Sequence, residues 1–103
     1  MDEPVVLCGA NAYLRKYYFN PDFSLLPGPV RDELQILCVT FTEEVGGVFT
    51  LCFDPEGNLQ IRTEAEEGDA SFDEIGAELR IRQIRRDKEE LFQSLELFYR
   101  TFA

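Results

Sequence analysis

The sequence predicts an α+β fold, in which a central antiparallel β-hairpin (about residues 48–54 and 58–65) is packed by helices. Three patterns predict it. Apolar residues recur at helical spacing before a glycine pair, they then alternate on both sides of a turn, and a second helical stripe closes the chain. These patterns place a middle helix at about residues 29–45 and a long C-terminal helix, in which we expect a break, at about residues 72–102.

The middle helix is predicted to begin after Pro27, because proline fits the first helical turn, where its missing N–H would have no partner. Its apolar stripe covers an arc of about 100°, the width of one core-facing side. The stripe consists of Val30, Leu34, Leu37, Cys38, Phe41 and Val45. Ile36 and Val39 lie on the opposite side, which indicates either cover by the rest of the chain or contact with a partner.

The hairpin is predicted by its turn and its alternation together. Residues 54–58 read Asp-Pro-Glu-Gly-Asn, in which proline suits the second turn position and glycine supplies a left-handed residue. A three-residue loop at 55–57 pairs Phe53 with Leu59 and Leu51 with Ile61. One face then becomes apolar and the other mostly polar, so we expect the helices to pack on the apolar face.

The flanking segments leave alternatives open. Residues 5–8 form an apolar run typical of a strand or a tucked-in arm, whereas residues 11–19 fit about two helical turns or an extended segment, of which we favour the helix. Ser71 and Glu74 form a capping box, which predicts a helix start near residue 72. The apolar stripe slips between residues 79 and 84, which predicts a bend there, with a third strand at residues 79–82 as the alternative.

The last segment repeats apolar residues on an arc of about 120°, typical of a helix with an aromatic core face. The stripe consists of Leu91, Phe92, Leu95, Phe98, Tyr99 and Phe102. Leu97 points away from it.

Length and composition limit the classes of function. The 103 residues predict one domain spanning residues 1–103, and the net charge of −10 disfavours nucleic acid and anionic membrane surfaces as partners. The sequence contains no histidine, which removes Ser-His-Asp and Cys-His catalysis and imidazole metal sites. Three cysteines without a Cys-x-x-Cys motif, and an N-terminus without the positive region of a signal peptide, predict reduced thiols in the cytoplasm. We predict no cofactor and no membrane span.

Half of the positive charge lies in one segment, which consists of Arg80, Arg82, Arg85, Arg86 and Lys88. It predicts a solvated helix face that balances the acidic residues 64–74, or else a contact for an anion or an acidic partner, including the acidic segment of a second copy. The acidic segment itself lacks the central glycine and terminal glutamate of a calcium loop, so we predict no metal site there. The cysteines, Cys38 above all, are interpreted as small buried hydrophobic residues.

Several runs along the chain resemble a known family. They are Val6–Tyr13, Lys16–Asn20, Asp32–Ile36, Glu44–Gly47 and Asp73–Gly76. Together these runs resemble a family of short proteins of unknown function from anaerobic Firmicutes, over nearly the whole chain. The resemblance implies a bacterial cytosolic protein and brings no catalytic residues with it.

The functional hypothesis is a small, non-enzymatic interaction module that forms a homodimer. It rests on the apolar residues off the main stripes (Ile36, Val39 and Leu97) and on the segregated charge. The alternative is a binder of a small anionic ligand that uses the segment Arg80–Lys88 together with the tyrosines Tyr13, Tyr17, Tyr18 and Tyr99.

Overall fold

The computed structural model describes residues 3–102 and has the predicted α+β class; Met1, Asp2 and Ala103, which the single-domain prediction includes, lie outside the described residues. A four-stranded antiparallel sheet is packed by α-helices, and a short 3-10 helix, Pro21–Phe23, precedes the first of them. The strands are β1 (Val5–Asn11), β2 (Lys16–Phe19), β3 (Val48–Phe53) and β4 (Leu59–Glu64). The helices are α1 (Gly28–Val45), α2 (Glu74–Asp87) and α3 (Glu89–Phe102).

The predicted hairpin is confirmed in its bounds and its register. β3 pairs with β4 so that Leu51 lies opposite Ile61 and Phe53 opposite Leu59. The carboxylate of Asp54 organises the turn, because its Oδ1 accepts the backbone N–H groups of Glu56 and Asn58, each at 2.9 Å. These bonds, the Asn58 N–H first among them, hold the pKa of the Asp54 carboxyl below its ordinary value.

The hairpin is one half of a larger sheet, whose order is β2-β1-β3-β4. The preferred helical interpretation of residues 11–19 is wrong, and the extended alternative is right for β2. Asn11 caps a turn rather than a helix, because its Oδ1 accepts the N–H groups of Tyr13 and Leu14. Arg15 closes the turn with a positive φ of 53°. Pairing with β1 across this turn, as between Ala10 and Tyr17, then decides the structure of a segment whose local pattern fitted both a helix and a strand.

A bulge in β1 explains why its apolar run does not alternate. Val6 pairs with Cys52 and Cys8 pairs with the adjacent Leu51, so Leu7 is the extra residue between them. Leu7 and Cys8 are consequently both fully buried. Beyond the bulge the strand returns to a regular register, and Gly9 lies opposite Thr50.

The core lies between one side of the sheet and the helices. α1 packs across β1 and β3, where the Phe41 and Phe49 ring centroids are 4.5 Å apart. α3 lies near β4 and contributes Tyr99, which stacks on Phe53 at 4.2 Å with an interplanar angle of 8°. Phe23 of the 3-10 helix stacks on the same Phe53 ring at 5.6 Å. Rings from three elements therefore close one end of the core.

The C-terminal helix is broken, but the predicted bend between residues 79 and 84 is wrong, as are the alternative strand at residues 79–82 and the Ser71 cap. α2 runs unbroken from Glu74 to Asp87, its N-cap is Asp73, and the chain turns at Lys88. The error has a physical cause, because the buried stripe of α2 includes the small residue Ala77 and continues through Ile81 to Ile84. The larger Ile75 and Leu79, which suggested a slipped stripe, are exposed.

Candidate interaction surface

The sheet has two faces of different character, and the strand register assigns each residue to one of them. The helices cover the face that carries Cys8, Ala10, Phe49, Leu51 and Phe53, which we call the covered face. The other side is the open face. It consists of Val6, Gly9, Asn11, Lys16, Tyr18, Val48, Thr50, Cys52, Gln60, Arg62 and Glu64.

The open face carries exposed apolar side chains on the β1–β2 side, and charged residues lie at both edges of the sheet. Tyr18 is 51% exposed and the adjoining Leu14 is 63% exposed. Two shallow depressions, of about 510 Å³ and about 380 Å³, lie side by side on this face, and both are lined by Val6 and Thr50. Within residues 3–102, no helix residue lines either depression. An exposed apolar area with a polar rim is typical of a binding surface.

The anchoring of α3 helps to keep this face uncovered. At the hairpin, Glu96 accepts the Leu59 N–H at 2.7 Å, and Arg100 donates to Asn58 Oδ1 at 2.7 Å. These two residues are one helical turn apart, so one side of α3 is fixed to the end of β4. The carboxylate also satisfies a backbone donor on an edge strand.

Cys52 is the one thiol on the open face, and it is only 1% exposed. It lies between Val6 and Gln60 in the register, and burial raises the pKa of its thiol. Its cover comes from neighbouring side chains on the sheet rather than from a helix. The middle of the open face is therefore already tightly packed.

A second concave region lies on the covered side, between α1 and the turn that joins β1 to β2. This cavity of about 680 Å³ is lined by Arg15, Tyr17, Val39 and Glu43, among others. The Tyr17 hydroxyl is buried without a hydrogen-bond partner, and burial, followed by the nearby Cys8 and Cys38, raises the pKa of Tyr17. The cavity mixes both signs of charge, and this mixture does not select one class of ligand.

Cys8 of β1 and Cys38 of α1 lie in contact where the helix packs on the sheet. Their Sγ atoms are 3.7 Å apart and both residues are fully buried. The contact with Cys8, together with burial, raises the pKa of the Cys38 thiol. A thiol that stays protonated and sealed from water is a poor nucleophile. The interpretation of Cys38 as a small buried hydrophobic residue is therefore confirmed.

The acidic segment is attached to the sheet through Tyr13. The Tyr13 hydroxyl donates to Asp69 Oδ2 at 2.5 Å and accepts the Glu66 N–H at 2.9 Å. The hydrogen bond to the carboxylate raises the pKa of Tyr13, while the bond from Ser71, followed by that from Tyr13, lowers the pKa of Asp69. Among residues 3–102, no group of three or more cysteine, aspartate or glutamate side chains is arranged to hold a metal ion.

The basic residues predicted as a contact all lie on α2 or at its end, but most are engaged within the chain. Arg80 pairs with Glu44 at 3.1 Å, Lys88 with Glu33 at 2.9 Å, and Arg86 with the adjacent Asp87 at 3.2 Å. Arg82 and Arg85 are exposed. The structure does not bring the tyrosines to this cluster, since the cleft that Arg80 and Lys88 line contains none.

The three apolar residues predicted as an oligomer contact are separated. Ile36 is 66% exposed on α1, and Leu97 is exposed on α3. Val39 is partly buried, packs on the core and lines the cavity beside Tyr17. They do not share an element with the open face. Sequence reasoning missed Lys16 and Tyr18 as surface residues, although the aromatic run 17–19 was a strand signal.

The fold and its surfaces define the class of protein: a small α+β domain with helices on one side of an antiparallel sheet and an uncovered face on the other. The chain belongs to a family of unknown function (DUF6145), whose model matches residues 4–103. No curated protein and no solved structure matched the chain. Within the described part of the chain, no helix is both long enough and apolar enough to cross a membrane.

Proposed function

We propose that this chain is a cytoplasmic, non-enzymatic interaction module that binds a second copy of itself through the open face of its sheet. The observation that carries the proposal is a four-stranded sheet whose helices, among the described residues 3–102, pack on one side. Antiparallel sheets often leave one face to solvent, but such a face is then polar. Here Val6, Tyr18 and Leu14 are exposed on or beside it.

Charge also supports self-association through this face. The chain has 20 acidic and 10 basic residues, so most of its surface repels a second copy. The open face departs from that balance, since its strands carry Lys16 and Arg62 against Glu64, and Glu3 lines one of its depressions. A second copy can therefore approach here without the repulsion that the rest of the surface exerts.

The same reasoning leaves catalysis out of the proposal. The sequence lacks histidine, and Cys8 and Cys38 are buried with their thiols in contact. The unpaired thiols also fit a reducing cytoplasm.

Sedimentation velocity tests self-association. We expect a monomer–dimer equilibrium between about 10 µM and about 1 mM, because the face is small for a stable dimer. Leu14→Ser and Tyr18→Ser should each weaken the dimer. Ile36→Ser is the matched control, since Ile36 is 66% exposed and lies on the helix side. A strict monomer at about 1 mM contradicts the proposal, and weakening by Ile36→Ser alone moves the interface to the helices.

A weaker second candidate is a site for a small anion on the segment Arg80–Lys88. Arg82 and Arg85 are exposed, and Arg80 and Lys88 line a cleft of about 400 Å³ beside Ile36. Asp32 and Glu33 line the same cleft and oppose an anion there. Thermal melts with phosphate and with a tricarboxylate test it. A rise in Tm that Arg80→Ala abolishes supports an anion site, and no rise rejects it.

A further inference from the structure

The strand register arranges the open face as three rows that run across the sheet. The first row, from β2 to β4, is Lys16, Asn11, Val48 and Glu64. The second row is Tyr18, Gly9, Thr50 and Arg62. The third row is Val6, Cys52 and Gln60 on the three strands β1, β3 and β4. The first row therefore begins with a basic residue and ends with an acidic one. The second row begins with an aromatic ring and ends with a guanidinium group.

This arrangement restricts how two copies can pack face to face. Stacked sheets lie about 10 Å apart with strand directions within about 30° of each other. A two-fold axis between them then runs nearly parallel to the strands or nearly perpendicular to them. The first axis places β2 over the partner's β4, whereas the second places each edge strand over its own copy.

We infer, resting on the proposed function, that the dimer uses the axis parallel to the strands and passing between β1 and β3. In that arrangement Lys16 faces Glu64 of the second copy, and the symmetry repeats this pair at the opposite edge. Tyr18 faces Arg62 of the second copy, a pairing of ring and guanidinium that is favourable in itself. In the middle, Val6 lies over Cys52 and Gly9 over Thr50.

The perpendicular axis is unfavourable for the same residues. It brings Arg62 against Arg62 of the second copy and leaves Lys16 and Glu64 without an opposite charge. Like charges across an interface select against the wrong arrangement. Neither Lys16, Arg62 nor Glu64 takes part in the ion pairs found among residues 3–102, so no pair has to be broken.

The dimensions of the face set the expected affinity. Four strands by three rows cover an area of about 19 Å by about 20 Å. Each copy therefore contributes about 380 Å², which is below what stable specific dimers bury, so we expect a weak dimer with a dissociation constant between about 10 µM and about 1 mM. At such an affinity, the charge pairs at the edges of the interface contribute a measurable share of the binding free energy.

Charge reversal in separate chains tests the arrangement. Lys16→Glu places two acidic pairs across the interface, and Glu64→Lys places two basic pairs there. We expect each variant alone to raise the dimer Kd about tenfold. In an equimolar mixture of the two variants, both pairs become attractive again in the heterodimer. The mixture should therefore bind within about threefold of the unaltered chain, with a difference that shrinks at high salt.

Glu67→Lys is the matched control for Glu64→Lys, because it makes the same change in net charge but lies on the exposed acidic segment. Alone, Glu67→Lys should bind itself as the unaltered chain does. Its heterodimer with Lys16→Glu keeps one repulsive pair of carboxylates, so it should bind more weakly than the heterodimer of Lys16→Glu and Glu64→Lys. Circular dichroism melts establish that each variant is folded. If the unaltered chain dimerises, and Tyr18→Ser weakens the dimer, but the Lys16→Glu and Glu64→Lys mixture does not recover, the axis is overturned and the proposed function stands. A chain that remains monomeric overturns both.

Discussion

The two faces of the sheet come from the same four strands, and β3 shows how differently they are used. Phe49, Leu51 and Phe53 point to the helices and are fully buried, or nearly so. Val48 and Thr50 point the other way and remain partly exposed. The period of two alone produces this division, since one residue along the strand changes the face.

The faces also differ in what holds their residues in place. On the covered face, each buried ring contacts a second element, as Phe49 does with Phe41 and Phe53 with Tyr99. On the open face, Cys52 is buried only among its neighbours on the strands and the segment before β1. The comparison indicates that the covered face carries most of the stability of the fold, whereas side chains of the open face contribute less to it.

The largest expected effect comes from truncating adjacent residues on opposite faces. Phe49→Ala removes a ring that is fully buried against Phe41, and it should lower the free energy of unfolding by about 3–5 kcal/mol. Thr50→Ala should lower the same free energy by less than about 1 kcal/mol, because Thr50 is partly exposed and lies on the open face, away from the helices. Urea denaturation at low protein concentration measures both. Equal losses would show that the two faces contribute alike.

A second prediction concerns the connection that returns the chain from α1 to the sheet. Gly46 and Gly47 both have positive φ, at 84° and 71°, but their surroundings differ. A Cβ on Gly47 would lie 2.5 Å from the Glu64 carbonyl oxygen and 2.7 Å from the Phe72 ring, whereas one on Gly46 meets nothing within 4 Å. We expect Gly46→Ala to cost about 1–2 kcal/mol from backbone strain alone.

Gly47→Ala should cost at least about 3 kcal/mol, because the same strain is joined by a clash with backbone. Thermal or urea unfolding of the two variants gives the comparison, with Gly46→Ala as the control for strain. If both variants lose the same stability, the close approach of β4 and Phe72 to this turn is wrong.

The sequence predicted local features well and long-range pairing poorly. The register of the hairpin was predicted correctly and its strand bounds to within one residue, since the turn at Asp54–Asn58 and the alternation beside it are encoded within about twenty neighbouring positions. β1 and β2 were not assembled into the sheet, because β1 pairs with a strand some 40 residues further along the chain and no local pattern states that partner. Tyr18 therefore could not be placed on a surface in advance.

The face of α2 was missed for a different reason. A small residue, Ala77, marks its buried stripe, while the larger Ile75 and Leu79 are exposed. The size of an apolar side chain is therefore a poor guide to which side of a helix is buried where two helices approach closely. The apolar residues predicted as contacts, Ile36 and Leu97, are indeed exposed, but nothing in the sequence indicated that a sheet face would be open as well.

Thiol labelling compares the two faces by the opening motion that exposes the cysteines of each face to a reagent. Cys8 and Cys38 are fully buried between β1 and α1, so an alkylating reagent should reach them only when the domain unfolds as a whole. Cys52 is covered by strand neighbours, and local opening of the open face should expose it. Mass spectrometry of samples labelled over time at neutral pH should show Cys52 modified at least about ten times faster. Complete labelling in urea is the control, and simultaneous labelling of all three thiols in the native protein contradicts the distinction.

The smallest expected effect is a dependence of stability on acid that arises at the hairpin turn. Asp54 accepts two backbone N–H groups and also the side chain of Gln60, an open-face residue, at 3.1 Å. Its folded pKa lies below the ordinary value of 3.8, so ionised Asp54 stabilises the fold above that value. The contribution is lost as the pH falls through the lower, folded pKa.

Asp54→Asn keeps an oxygen that accepts the same backbone bonds but removes the titration. We therefore expect this variant to flatten the acid limb of the stability curve and, at neutral pH, to lack the stability that the ionised carboxylate gives the unaltered chain. Asp69→Asn is the matched comparison, because its pKa is also lowered but its bonds fix the acidic segment rather than the sheet. Urea unfolding at stepwise lower pH measures both variants. If the stability of Asp54→Asn depends on pH as that of the unaltered chain does, then protonation of Asp54 does not cause the acid sensitivity. That sensitivity must then arise from other carboxyl groups.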